Sequence, residues 1–152
     1  MENPLLLDQQ LCFALYSATR AMTQAYAPLL APLGLTYPQY LAMLVLWEDD
    51  DLAVKDLGAR LELDSGTLTP LLKRLEALGL VARARDAADE RVVRVRLTQK
   101  GRSLRRRALA VPAQMACQAG LSLREIGALR ERLLRLAENL RAARSGADSQ
   151  ET

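Results

Sequence analysis

The apolar residues of this chain leave the helical period at Gly79, and that change limits the folds open to it. Before Gly79 the spacing is helical. It predicts a short helix near Val54–Leu61, a turn at Glu62-Leu63-Asp64-Ser65, and a longer helix from Ser65 to about Leu78. After Gly79 come Leu80-Val81-Ala82-Arg83-Ala84-Arg85 and Val92-Val93-Arg94-Val95-Arg96-Leu97, which read as two strands. In the second, Val93, Val95 and Leu97 alternate with Arg94 and Arg96, the period of a half-buried strand. Asp86-Ala87-Ala88-Asp89-Glu90-Arg91 forms the hairpin tip. Helix, turn, longer helix and hairpin, in that order, are a winged helix-turn-helix, and the expected fold class is mostly α with a two-stranded wing.

The flanking segments are helical. Asp8 is positioned to cap a helix through about Leu30, disturbed at its end by Pro28 and Pro32 and closed by Gly34. Pro38 opens a second helix, Gln39 to Trp47, and the acidic run Glu48-Asp49-Asp50-Asp51 is a loop. Thr98 caps a helix from Gln99 to about Gly120, bent or interrupted at Pro112. Ser122 begins the last helix, with Glu125 completing a capping box. That helix reaches about Ala143 with Leu123, Ile126, Leu129, Leu133, Leu136 and Leu140 on one stripe. Residues 145–152 are polar and expected to be disordered.

A winged helix-turn-helix reads DNA through the N-terminal residues of its second helix. Here those are Ser65, Gly66, Thr67, Thr69 and Pro70. Small hydroxyl residues can donate to or accept from base edges and phosphates, and Gly66 permits close backbone approach. Lys73 and Arg74 lie one to two turns on and can reach phosphates. At the hairpin tip Arg91 can enter the narrow, negative minor groove, with Asp89 orienting it.

Charge is unevenly spread. Residues 1–52 carry one Arg against six acids (−5), residues 53–107 fourteen Lys and Arg against seven acids (+7), and residues 108–152 six against five (+1). The middle block fits a phosphate-binding surface; by composition alone it fits a solvated basic face as well. There is no histidine, which removes the commonest metal ligand and the usual general base. A hydrolase or zinc enzyme is disfavoured, and no metal or cofactor is expected. No run of about 18 apolar residues suggests a membrane span, and no basic leader precedes an apolar core. The expectation is a cytoplasmic protein, in which two cysteines are either packing residues or redox chemistry.

Cys12 is one of the two. With Cys12 at zero on a helical wheel, Tyr16 falls near +40° and Tyr26 near −40°, at about 100° per residue. All three share a face, yet Tyr26 is fourteen residues on, about 21 Å along the axis at ~1.5 Å per residue. It cannot reach Cys12 of its own straight helix; it can reach Cys12 of an antiparallel second copy. A phenolic O–H can donate to a thiolate and stabilise it. The plainer reading is that the thiol and the tyrosines simply pack.

Leu63 to Leu80, then Asp89-Glu90-Arg91, then Leu97-Thr98-Gln99-Lys100-Gly101, resemble the MarR family of bacterial repressors, whose wing carries Asp-x-Arg followed by Leu-Thr-x-x-Gly. The likeness spans residues 8–143. It implies a homodimer with interlocking terminal helices that binds pseudo-palindromic double-stranded operator DNA. On this basis residues 1–144 form one protomer, with about 36–100 as the DNA-binding region and about 8–34 and 101–143 as dimerisation helices. Leu11-Cys12-Phe13-Ala14-Leu15-Tyr16-Ser17 is similar to the opening of the organic-hydroperoxide-sensing branch, in its two-cysteine subtype. That likeness implies that Cys12 senses an organic hydroperoxide as inducer. It further implies that Tyr26 and Tyr37 of the other subunit bond to Cys12, with Tyr16 a third phenol nearby, and that Cys117 of the other subunit resolves the oxidised Cys12 as a disulfide. Two rivals are a MarR-type repressor released by a small aromatic ligand with inert cysteines, and a thiol peroxidase. The second is disfavoured because the basic residue nearest Cys12 in sequence is Arg20.

Overall fold

The computed structural model describes residues 3–148 of the 152. The chain divides into two compact units, Met1–Val111 and Pro112–Thr152. The first holds helices α1 (Leu11–Leu30), α2 (Tyr37–Glu48), α3 (Val54–Leu61), α4 (Ser65–Ala77) and α5 (Gln99–Ala108), with strands β1 (Leu52–Ala53), β2 (Val81–Arg85) and β3 (Val93–Leu97). The sheet is antiparallel in the order β1-β3-β2. Val81 pairs with Leu97 and Arg85 with Val93, while Leu52 and Ala53 pair with Val95 and Arg94. The expected two-stranded wing is therefore present, and a two-residue strand from the segment after the acidic loop adds to its edge. Among the described residues no single helix is long and apolar enough to cross a membrane.

The caps explain where the helices start. Asp8 does not cap α1. It lies in a short 3-10 turn, Leu7–Gln9, and Gln10 occupies the cap position without a side-chain cap bond. The Gln10 amide instead donates to the carbonyls of Pro4 (2.6 Å) and Leu6 (3.1 Å). Pro28 is accommodated inside α1, and Gly34 closes the segment at φ +70°. At α2, Thr36 and Gln39 form a capping box that Pro38 had overshadowed in the sequence.

One junction ties recognition helix, wing and α5 together. Gly79 terminates α4 in the left-handed region (φ +73°), donating to the Glu76 carbonyl. Thr98 caps α5 by accepting from Gly101 N (3.1 Å), and its own hydroxyl donates to the Gly79 carbonyl (2.6 Å). Lys100 Nζ donates to the Leu78 carbonyl (2.8 Å). Trp47 Nε1 donates to the Gly101 carbonyl (2.9 Å). A Cβ on Gly101 would stand 2.1 Å from the Leu80 carbonyl oxygen. The Leu-Thr-x-x-Gly stretch is thus the seam where α5 meets the end of α4. Beneath it lies one core: Leu68, Leu72 and Leu75 of α4 cluster with Met43 and Leu46 of α2, Leu57 of α3, and Val81, Val95 and Leu97 of the sheet.

The helix expected over 99–120 is broken: α5 ends at Ala108 and α6 is Val111–Ala119, so the interruption falls just before Pro112. Helix α7 (Leu123–Asp148) carries the capping box, with Ser122 N donating to Glu125 (2.8 Å) and Glu125 N to Ser122 Oγ (3.2 Å). It runs five residues beyond Ala143, so the start of the expected disordered tail is helical; residues 149–152 lie outside the described part.

Replacing Gly101 by Ala drives a methyl group into backbone rather than into a yielding side chain. Gly101→Ala is expected to cost about 3 kcal/mol, the upper end of overpacking, and to lower Tm by roughly 6–12 °C. A thermal melt within about 2 °C of wild type contradicts the close approach.

Candidate redox site and nucleic-acid interface

Helix α4 presents its reading face because of where its leucines lie. Leu68, Leu71, Leu72 and Leu75 are buried, which turns Ser65, Gly66, Thr67, Pro70, Lys73 and Arg74 outward, with Thr69 half-buried. Asp64 caps the helix by accepting from Thr67 N (2.7 Å), and that backbone bond holds its carboxyl below the usual carboxylate range. Pro70 has no N–H to give to the Gly66 carbonyl, so that one helical bond is missing from the exposed face. Gly58 of α3 is packed where a Cβ would meet the Leu63 carbonyl at 3.0 Å, which keeps the turn between α3 and α4 tight. Among the described residues Lys73 and Arg74 make no ion pair, so both cations are free for phosphates.

The wing is different, because most of its cations are already spoken for. Arg83 Nε donates to Glu76 (2.6 Å), and Arg85 donates to the Glu90 carbonyl (2.7 Å). Arg94 Nε donates to Asp51 Oδ1 (3.0 Å) and Nη1 faces Asp86 at 3.5 Å. Arg96 reaches the second Asp51 oxygen and Arg102 an Asp50 oxygen, both at 3.3 Å. The acidic loop that the sequence offered only as a loop is therefore the counter-charge of the wing's base. Arg91 is the exception in direction: its guanidinium is gripped by both oxygens of Asp89 at 3.1 Å, yet its side chain is 91% exposed at the hairpin tip. Arg94 holds the Asp51 carboxyl down and Arg91 does the same for Asp89.

The thiol region is split between two ends of α1. Cys12 is exposed in the first turn, and Cys117 is exposed on α6; both are free thiols. Beside Cys12, one turn on, Tyr16 is exposed and accepts from Arg20 Nη1 (2.7 Å), whose guanidinium carbon lies 5.4 Å from the ring centroid. This pairing was open to an i, i+4 reading of the sequence and leaves the Tyr16 proton free to donate. At the far end, Tyr26 and Tyr37 stack with centroids 4.9 Å apart, and Tyr40 lies 5.7 Å from Tyr26. Tyr40 is buried in the core. Burial first, and Tyr37 second, push the Tyr26 phenol above its ordinary range, so it stays a donor. Among the described residues no cluster of three or more His, Cys, Asp or Glu is placed to hold a metal.

The architecture has close relatives. The family model described as Transcriptional regulator SarA/Rot matches residues 24–107. The HTH-type transcriptional regulator TtmR of Methylorubrum extorquens (strain PA1) is 52% identical over 141 residues, covering 93% of this chain and 72% of the relative. The chain belongs to the SarA/MarR-type winged-helix transcriptional regulators. The organic hydroperoxide resistance transcriptional regulator of Bacillus subtilis (strain 168) is 46% identical over 143 residues, covering 92% and 97% of the two chains. A structure of reduced AbfR bound to DNA matches with a TM-score of 0.73 and 36% identity, over 88% of this chain and 93% of that one. A DNA-binding regulator of transcription, not an enzyme, is thus what the winged domain serves.

The carboxylates of the wing generate a pH dependence. Their folded values lie below the unfolded value of about 3.9. The stability they contribute is therefore present above that value and lost as pH falls through the folded values. Asp51→Asn is expected to be less stable than wild type at pH 6, with the gap closing below about pH 4. Urea midpoints at pH 6 and at low pH check this; a gap independent of pH contradicts the Asp51–Arg94 ion pair.

Proposed function

We propose that this regulator is a homodimeric repressor that binds pseudo-palindromic operator DNA in its reduced form and is released by organic hydroperoxides acting on Cys12. The observation that carries this reading is the division of the phenols. Tyr26 and Tyr37 are packed together at the end of α1 opposite Cys12. Fourteen residues of helix separate Tyr26 from Cys12, about 21 Å, so the thiol and these donors meet only between two copies. The exposed Leu11 and Phe13 flank Cys12, and Leu123, Leu129, Leu133 and Leu140 are exposed on α7. Two apolar helical faces of this kind call for a partner, and a second copy supplies both. The B. subtilis relative's name and the reduced, DNA-bound state of AbfR support the chemistry.

On this reading Ser65, Gly66, Thr67, Thr69 and Pro70 face the major groove, Lys73 and Arg74 hold phosphates, and Arg91 enters the minor groove on the support of Asp89. Apolar surface at Cys12 favours a hydroperoxide with an organic tail. The Cys12 thiolate attacks the outer peroxide oxygen, the O–O bond breaks, and the alcohol leaves after taking a proton. The sulfenic acid then condenses with the Cys117 thiol of the second copy, forming the disulfide and releasing water. Joining α1 to α6 across the dimer changes the spacing of the two recognition helices, which must match about one turn of DNA. Each thiol reacts once, so the protein senses peroxide and does not turn it over. A reducing cytoplasm, the proposed location, resets the switch.

Two variants test the assignment of roles. Cys12→Ser is expected to bind operator DNA with wild-type affinity and to stay bound when hydroperoxide is added. Cys117→Ser is expected to form a sulfenic acid, detectable by dimedone labelling, without a covalent dimer on a non-reducing gel. Peroxide release of Cys12→Ser removes Cys12 as sensor, and a persisting covalent dimer in Cys117→Ser removes the resolving role.

A further inference from the structure

The acidic loop between α2 and β1 is joined to the tip of the wing by a continuous chain of charges. Asp51 precedes β1 with a left-handed backbone (φ +60°), and this turn aims both its carbonyl and its carboxylate at Arg94. Arg94 also faces Asp86, at 3.5 Å. Asp86 Oδ1 accepts from Ala88 N (2.7 Å) and Asp89 N (3.3 Å), which folds the tip. Asp89 in turn accepts from the backbone N–H of Arg91 and from its guanidinium. We propose that Asp51, acting through Arg94 and Asp86, is a positioning residue that sets where Arg91 meets DNA. This rests on the reading of Arg91 as the wing's DNA contact.

Four features favour this role over a merely local ion pair. Strand β1 is only two residues long, Leu52 and Ala53, so its pairing with β3 is a weak anchor by itself. The Asp51–Arg94 contact lies at the β1 edge of the sheet, opposite Ala53, and fixes the β3 strand that leads back from the tip. Arg94 is only about a third exposed and has carboxylates on two sides, so its guanidinium is engaged within the protomer rather than left for a phosphate. Finally, Arg91 is a long side chain standing in solvent, and confining it before DNA arrives removes an ordering cost from binding. Minor-groove reading by arginine depends on groove width, so placement of the guanidinium sets selectivity as well as affinity.

The test uses the full-length chain and two measurements. Asp51→Asn removes the charge while keeping a residue that tolerates the left-handed backbone. Asp86→Asn is the second variant: it keeps the acceptor for Ala88 and loses the charge facing Arg94. Without DNA, amide hydrogen exchange at Ala88, Asp89 and Arg91 is expected to quicken several-fold in both variants. With operator DNA, Arg91→Ala is expected to weaken binding about tenfold in the wild-type background, but less than about threefold in the Asp51→Asn background, because the contact is already misplaced. A full tenfold loss in both backgrounds, or unchanged exchange at the three amides beside a normal Arg91→Ala loss, overturns the positioning role alone. Wild-type affinity of Arg91→Ala overturns the wing contact and the positioning role together.

Discussion

The Leu80 carbonyl is the point on which the winged domain turns. It accepts from Thr98 N at 3.0 Å and lies so close to Gly101 that no side chain fits between them. Around it the carbonyls of Leu78 and Gly79 are taken by Lys100 and by the Thr98 hydroxyl. The end of a helix leaves several carbonyls without partners. Here the next helix of the chain supplies those partners after an excursion through the hairpin. The recognition helix, the wing and α5 are consequently fixed to one another by backbone contacts, and Trp47 adds α2 to the same point through the Gly101 carbonyl. A rotation of α5 cannot leave the reading helix behind, and this is the mechanical property that a switch acting on the flanking helices requires.

Electrostatics divide the basic middle of the chain into two populations. Arg83, Arg94, Arg96 and Arg102 are paired with carboxylates of the same protomer. They hold the wing to the domain and contribute little net field to DNA. Lys73, Arg74 and the tip of Arg91 project outward. Exposed pairs of this kind are individually weak and are screened by salt. They act here as a network in which Asp50 and Asp51 together engage Arg94, Arg96, Arg102 and the backbone of Leu97. The positive charge left unpaired in this block is accordingly smaller than the charge count suggests.

Local chemistry was legible in the sequence and long-range pairing was not. The bounds of α3, the stop at Gly79, the cap at Thr98, the alternation of β3 and the capping box of α7 all follow from residues within a turn of one another. Asp8 misled because a capping residue is recognised only by the helix that follows directly, and α1 starts three residues later. Thr36 and Gln39 carried a capping-box spacing that Pro38 obscured. The strand at Leu52–Ala53 is too short to show a period, and the Asp51–Arg94 pair joins residues 43 apart, which no local rule connects. For the thiol site, the shared face of Cys12, Tyr16 and Tyr26 was visible on a helical wheel. The contact between Tyr26 and Tyr37 crosses from one helix to the next, and no local rule connects the two.

In the proposed switch these parts form one sequence of causes, from a thiol in the first turn of α1 to the spacing of two reading helices. The most direct test is titration of operator-length DNA with the purified wild-type protein, first reduced, then treated with one equivalent of an organic hydroperoxide per Cys12, then with dithiothreitol. The account predicts tight binding, loss of binding on oxidation and recovery on reduction. Binding that is indifferent to both reagents would contradict it, leaving a winged-helix regulator whose cysteines take no part in its control.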